Sequence, residues 1–137
     1  MIILDTNVIS ELMRGGSAEI TRWLASVRGD DLHTTVITRA EIGYGIARLP
    51  DGRRRDQLRG RARTVFAQIA DRTLSLDVAA ADRYGELVAA RERSGRPISA
   101  PGAQIASIAF VHGATVATRN TADFADCGVD VVNPFAA

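Results

Sequence analysis

Met1-Ile2-Ile3-Leu4, followed at once by Asp5-Thr6-Asn7, is the stretch that most narrows what this chain can become. The four apolar residues are β-branched at Ile2 and Ile3. They read as a short strand buried on both faces, without the alternation of a half-exposed one. Asp5, Thr6 and Asn7 supply a turn and a helix cap ahead of Val8-Ile9-Ser10-Glu11-Leu12-Met13. In an open parallel sheet, ligands gather beyond the carboxyl ends of the strands, where the strand order reverses. A carboxylate at the end of a buried first strand is therefore placed for chemistry, and equally for capping the next helix.

The rest of the chain continues that alternation. Gly15-Gly16 breaks the first helix, and Ser17 caps a second with Ile20, Trp23, Leu24 and Val27 on one face. Trp23 is expected to anchor the core. Leu32-His33-Thr34-Thr35-Val36 reads as a strand with His33 in a structural or surface role. Thr38-Arg39-Ala40-Glu41 then has the capping-box pattern ahead of Ile42, Ile46 and Leu49. That pattern by itself accounts for Glu41; its functional reading rests on lying just beyond a strand end.

A helix from about 53 to 71 has Leu58, Ala62, Val65, Phe66 and Ile69 as its apolar stripe, and Thr73–Leu76 is a third short strand. Asp77 caps a helix bearing Val78, Ala81, Tyr84, Leu87, Val88 and Arg91, which closes at Gly95. Asp77, Asp82 and Glu86 read as cap and exposed-face residues. Ser99-Ala100-Pro101-Gly102 leads into Ala103–Gly113, an almost wholly apolar helix expected to be buried on most sides. Ala114–Thr118 and Val129–Val132 are the last strands. Residues 1–137 thus read as one domain, a three-layer α/β/α sandwich around a central parallel sheet.

Composition closes off several classes. No apolar run approaches the roughly 18 residues of a membrane span, and no leader pattern marks the amino terminus. The single Cys127 excludes an internal disulfide and suits a reducing compartment, so a cytoplasmic, membrane-free protein is expected. Two distant histidines and one cysteine give no zinc spacing. All 17 basic residues are arginine. The absence of lysine removes P-loop chemistry and disfavours aspartyl-phosphate transfer, which normally keeps a lysine beside the phosphate. Arg53, Arg54, Arg55, Arg59, Arg61 and Arg63 stand against Asp56 alone, a net +5 in one segment of a chain whose total is +1. Such segregation suits a basic face that meets a polyanion, and equally a solvated helix face.

Three acids share one address in this topology: Asp5 after the first strand, Glu41 after the second and Asp123 after the fourth. Clustered carboxylates raise one another's pKa unless a cation compensates. Mg²⁺ or Mn²⁺ does so with one or two carboxylates plus waters, and supports phosphodiester cleavage.

Leu4-Asp5-Thr6-Asn7, Arg39-Ala40-Glu41-Ile42 with Leu49-Pro50-x-Gly52, Thr118-Arg119-Asn120 with Asp123-Phe124, and the terminal Val132-Asn133-Pro134-Phe135 occur in one order. Together they resemble the PIN-domain ribonucleases, most of all the VapC and FitB toxins of bacterial toxin–antitoxin pairs. The resemblance implies a magnesium-dependent endoribonuclease and a homodimer. It also implies an antitoxin that blocks the acidic pocket and, through it, operator DNA. Asp5, Glu41 and Asp123 would be the metal and catalytic acids, with Thr118 and Asn120 supporting them and Asn7 behind. Arg53, Arg54 and Arg55 are candidate RNA contacts.

One position departs from the pattern. Where the family usually has an aspartate at the start of the long buried helix, this chain has Gly102. The departure implies a chain that folds and binds its antitoxin but cleaves RNA poorly, whether degenerate by nature or disarmed by substitution. Its alternative is a catalytically silent PIN module that complexes an antitoxin and assists operator binding.

Overall fold

The computed structural model describes residues 1–136. Five short parallel strands make the sheet: β1 (Ile2–Leu4), β2 (Leu32–Thr35), β3 (Thr73–Leu74), β4 (Thr115–Ala117) and β5 (Asp130–Val132). Their order is β3-β2-β1-β4-β5, so the amino-terminal strand is the central one. The chain lays β2 and β3 on one side of β1, then returns to place β4 and β5 on the other. Strand order therefore reverses at β1 and β4, which pair Ile2 with Thr115, Ile3 with Val116 and Leu4 with Ala117. The ladder runs on past the strands, with the Asp5 N–H donating to the Ala117 carbonyl at 3.0 Å and Thr118 to Val132 at 2.9 Å.

Period-two alternation along these strands divides two cores. Ile3, Val116 and Val131 face α5 (Val78–Arg93) and α6 (Ala100–His112). Ile2, Leu4, Ala117 and Val132 face α1 (Thr6–Met13), α2 (Ala18–Ala25), α3 (Val36–Ala47) and α4 (Arg53–Gln68). The sheet is covered on both sides, as parallel sheets are, and the expected α/β/α sandwich is what forms. Ser17, Asp77 and Ser99 cap α2, α5 and α6 with their side chains, and Trp23 is buried in the second core.

Several boundaries differ from the sequence reading. The Thr38–Glu41 capping box does not form: α3 begins three residues earlier, at Val36 with Thr35 as its cap, the Thr35 hydroxyl accepting from the Thr38 N–H at 3.2 Å. Thr35 and Thr38 are both buried and already hydrogen-bonded, so the helix starts where the strand ends without a connecting turn. The arginine-rich helix stops at Gln68, after which Ala70–Arg72 makes a 3₁₀ turn. β3 is two residues, not four. On α5 the apolar stripe is displaced, for Val78 is 78% exposed whereas Arg91 is 5% exposed. Phe110 and Val111 emerge at the end of α6, so that helix is fully covered only over its middle turns. No helix of the described residues is long and apolar enough to cross a membrane.

Candidate active site

Beyond the carboxyl ends of β1 and β4 lies a cleft of about 590 Å³ whose lining includes Asp5, Thr6, Asn7, Glu41, Asn120 and Asp123. Asp5 caps the next helix and also lines the cleft. Its Oδ1 accepts the Thr6 N–H at 2.8 Å as the cap of α1, and its Oδ2 accepts the Thr118 hydroxyl at 2.8 Å. Thr118 is wholly buried at the end of β4. Its oxygen in turn accepts from the Asn7 amide at 3.2 Å and from the Asn120 backbone N–H at 3.0 Å. Asn7 also reaches Asp5 Oδ2 at 3.4 Å and accepts the Arg119 N–H at 3.1 Å. Asp5, Asn7, Thr118 and Asn120 thus form one hydrogen-bonded unit across the β1–β4 seam.

Glu41 arrives from the second turn of α3 and is not spent on a helix cap. The Thr6 hydroxyl donates to its Oε1 at 2.7 Å and lies 3.0 Å from the Thr38 hydroxyl. Thr6, unremarked as a site residue in the sequence, is therefore what holds Glu41 beside Asp5. Adjacent residues of one turn hold the two acids: Asp5 is one and Thr6 grips the other.

Asp123 comes from a 3₁₀ turn, Thr121–Phe124. The turn is held from behind by Arg91, whose Nη1 donates to the carbonyls of Asp123 at 3.0 Å and Ala125 at 2.7 Å and reaches Cys127 Sγ at 3.4 Å. Its Nε donates to the Arg96 carbonyl at 2.6 Å. The clue in the sequence was an arginine in a row of apolar residues spaced like one helix face (Tyr84, Leu87, Val88, Arg91). The terminal motif is also explained: the Phe135 ring lies 3.9 Å beneath the Arg119 guanidinium, fixing the loop that carries Asn120.

Burial pushes the Asp5 carboxyl above its ordinary pKa, and the charges of Glu41 and Asp123 push it further; the hydrogen bonds from Thr118 and Thr6 pull the other way. The site thus concentrates negative charge that its own hydrogen bonds offset only in part. Among the described residues no three acids, histidines or cysteines stand close enough together to enclose an ion by themselves. The donors around the cleft are carboxylate, hydroxyl and amide oxygens without nitrogen or sulfur ligands, the set that suits Mg²⁺ or Mn²⁺. Such ions take one or two carboxylates and keep several waters, so the residues present fit.

Gly102 lines the same cleft, in the first turn of α6, where its N–H is capped by Ser99 Oγ at 3.2 Å. Its φ is not positive, unlike those of six other glycines in the chain. A Cβ there would meet Ser99 Oγ at 3.0 Å and otherwise only Ile98 side-chain atoms at 3.5 Å or more. Backbone conformation does not demand glycine at this position.

Of the three arginines expected to touch RNA, Arg54 lines a groove that adjoins the cleft. Arg55 turns back to pair with Asp51 and donate to the Leu49 carbonyl. Arg53 is exposed at the first turn of α4.

A parallel sheet with an acidic, all-oxygen cleft at its switch point defines a class of α/β domains built to act on ligands at the strand ends. The PIN domain family model matches residues 2–128, and the chain belongs to that family. It is 40% identical over 139 residues to the plasmid stability protein StbB of Pseudomonas syringae pv. tomato, covering the whole of both chains. It is 37% identical to the VapC ribonuclease Y4jK of Sinorhizobium fredii, with 98% of each covered. To toxin FitB of Neisseria gonorrhoeae it is 36% identical, over 98% of this chain and 99% of that one. A solved structure of FitAB bound to IR36 DNA matches with a TM-score of 0.89 and 36% identity, over 98% of this chain and 96% of that one.

Proposed function

We propose that this chain is the toxin of a type II toxin–antitoxin pair, a metal-dependent endoribonuclease whose activity is weakened by glycine at position 102. The observation that carries the reading is the meeting of Asp5, Glu41 and Asp123 around one cleft, backed by Thr118, Thr6 and Arg91. One or two of the Asp5, Glu41 and Asp123 carboxylates, with waters completing the set, would hold Mg²⁺ or Mn²⁺, which when bound supplies water activation and neutralises charge developing on a cleaved phosphodiester. The protein's own share is positioning. Thr118 and Asn7 orient Asp5, Thr6 orients Glu41, and Arg91 sets the turn that presents Asp123.

Relatives named as a ribonuclease and as a toxin support the activity and the role. The FitAB–DNA complex supports a cognate antitoxin as partner, with operator DNA reached through it. A homodimer in the cytoplasm completes the reading. Cleavage of RNA by the native chain beside Gly102→Asp, each with Mg²⁺, Mn²⁺ or EDTA, tests it. Metal-dependent cleavage that is much stronger in the aspartate variant is expected. Equal cleavage by both would remove position 102 from the account.

The second reading, a silent module that complexes an antitoxin and assists operator binding, is favoured by Gly102 alone. Failure of both proteins to cut any RNA while still binding antitoxin would establish it.

A further inference from the structure

A second groove, about 500 Å³, opens from the acidic cleft between α1, α3 and α4 and shares Thr6, Ser10, Arg14 and Glu41 with it. Its charge is the reverse of its neighbour's. Arg14, Arg54 and Arg61 line it against Glu41 alone, whereas Asp5, Glu41 and Asp123 line the cleft against Arg14 alone. Arg54 and Arg61 are exposed and lie on one face of α4, seven residues or about 10 Å apart. Leu58 lies between them on that face, and Met13 and Ile42 complete an apolar floor. Arg59 and Arg63 line a different, shallow depression with Arg39 and Phe66, which meets the groove only at Ile42 and Ile46.

We propose that this groove is the track for the RNA strand, with Arg54, Arg61 and Arg14 contacting successive backbone phosphates and leading one phosphodiester into the acidic cleft. The inference rests on the ribonuclease reading and extends it to the substrate's path. Guanidinium groups match phosphate geometry and stay charged at any working pH. The reversal of sign at Glu41 supplies direction: a polyanion is attracted along the arginines and repelled from the carboxylates until a cation neutralises them. No aromatic ring lines the groove, so bases have no stacking platform there. Recognition in this track is of the backbone, with little preference for sequence.

The test is binding of a short, labelled single-stranded RNA of mixed sequence to the full chain in EDTA, where metal-dependent cleavage cannot interfere, across a salt series. Arg54→Ala with Arg61→Ala is expected to weaken binding about tenfold at low salt. It should also flatten the log–log salt dependence by roughly 1.4, at ~0.7 for each single-strand phosphate contact. Arg59→Ala with Arg63→Ala, equally a loss of two charges from α4, is expected to leave both nearly unchanged. Equal weakening by the two pairs would mean that α4 is only a diffuse cationic surface, and the track is wrong. Unchanged RNA binding in Arg54→Ala/Arg61→Ala, with loss of antitoxin binding, would make the groove a protein-docking site and overturn the proposal. If the native chain binds no RNA either in EDTA or with Ca²⁺ added to neutralise the carboxylates, the ribonuclease reading itself falls. If the native chain binds and Arg54→Ala/Arg61→Ala binds as tightly, only the track falls.

Discussion

Replacing Arg91 by methionine isolates the clamp behind Asp123. The native guanidinium is 5% exposed and donates to the carbonyls of Arg96, Asp123 and Ala125. Methionine fills much of the same volume but donates nothing, so three carbonyls lose a charged donor. At about 1–1.5 kcal/mol each, the loss is about 3–4.5 kcal/mol. With an unfolding entropy of about 2.1 cal/mol/K per residue over 137 residues, Tm falls by about 10–15 °C. That leaves a folded protein at 25 °C if its stability lies within the ordinary 5–15 kcal/mol. Calorimetry measures the first quantity. Hydrogen exchange measures the second consequence, faster exchange at the Asp123 and Ala125 amides, which bond only within the turn. Arg91→Lys, which keeps the charge but on a single nitrogen that cannot span all three carbonyls, should fall between. A loss under about 1 kcal/mol with unchanged exchange would show that water satisfies the carbonyls as well as Arg91 does, and the clamp would be refuted.

Gly102→Asp is expected to fold at little net cost, because helix propensity and a first-turn carboxylate favour it by roughly 0.5–1 kcal/mol while Ser99 Oγ, 3.0 Å from the new Cβ, must shift by a few tenths of an ångström; a large drop in Tm would show that the Ser99 cap cannot make that shift. Thr118→Val should cost ~1–3 kcal/mol by orphaning buried partners and should raise the Asp5 pKa, since the hydroxyl that stabilises its charge is gone; carboxyl titration by NMR reads the direction. Thr6→Val should release Glu41 and lower metal affinity while costing only about 1 kcal/mol of stability, so equal affinity in native and variant would deny Thr6 its role. Because the Asp5 pKa lies above the ordinary ~3.9, protons compete with Mg²⁺ at correspondingly higher pH, and affinity should decline on acidification before ordinary carboxylates titrate. The same shift makes Asp5 a stabilising group only while protonated: its contribution is full below ~3.9 and lost as pH rises through the folded value.

The alternation of apolar runs and capped amphipathic segments was enough to give the sandwich. Strand-end logic was enough to bring Asp5, Glu41 and Asp123 to one cleft. What the sequence misjudged at Glu41 was local: two overlapping caps, Thr35…Thr38 and Thr38…Glu41, compete, and pattern cannot choose between them. Strand pairing chose, because Thr34 and Thr35 register with Thr73 and Leu74 and the helix starts directly afterwards. Thr6 and Arg91 were hidden for another reason. Their partners lie 35 residues away in one case and 32 to 36 in the other for all but the Arg96 carbonyl, and no spacing rule reaches that far. Among the arginines, charge density marked the helix, but only helical phase sorts Arg54 and Arg61 from Arg59 and Arg63.

The central position of β1 has a temporal consequence. Within the sheet β1 is made long before its partner β4, and the Thr118 hydroxyl that holds Asp5 is 113 residues downstream. A chain stopped between Glu41 and β4 keeps Asp5 and Glu41 but has neither the seam between β1 and β4 nor the turn that brings Asp123. The acidic cleft of the proposed nuclease is therefore incomplete while those segments are unmade. Its assembly waits for β4 and for the turn of residues 121–124, and slow closure of such a distant pair leaves an interval in which a partner can already be waiting.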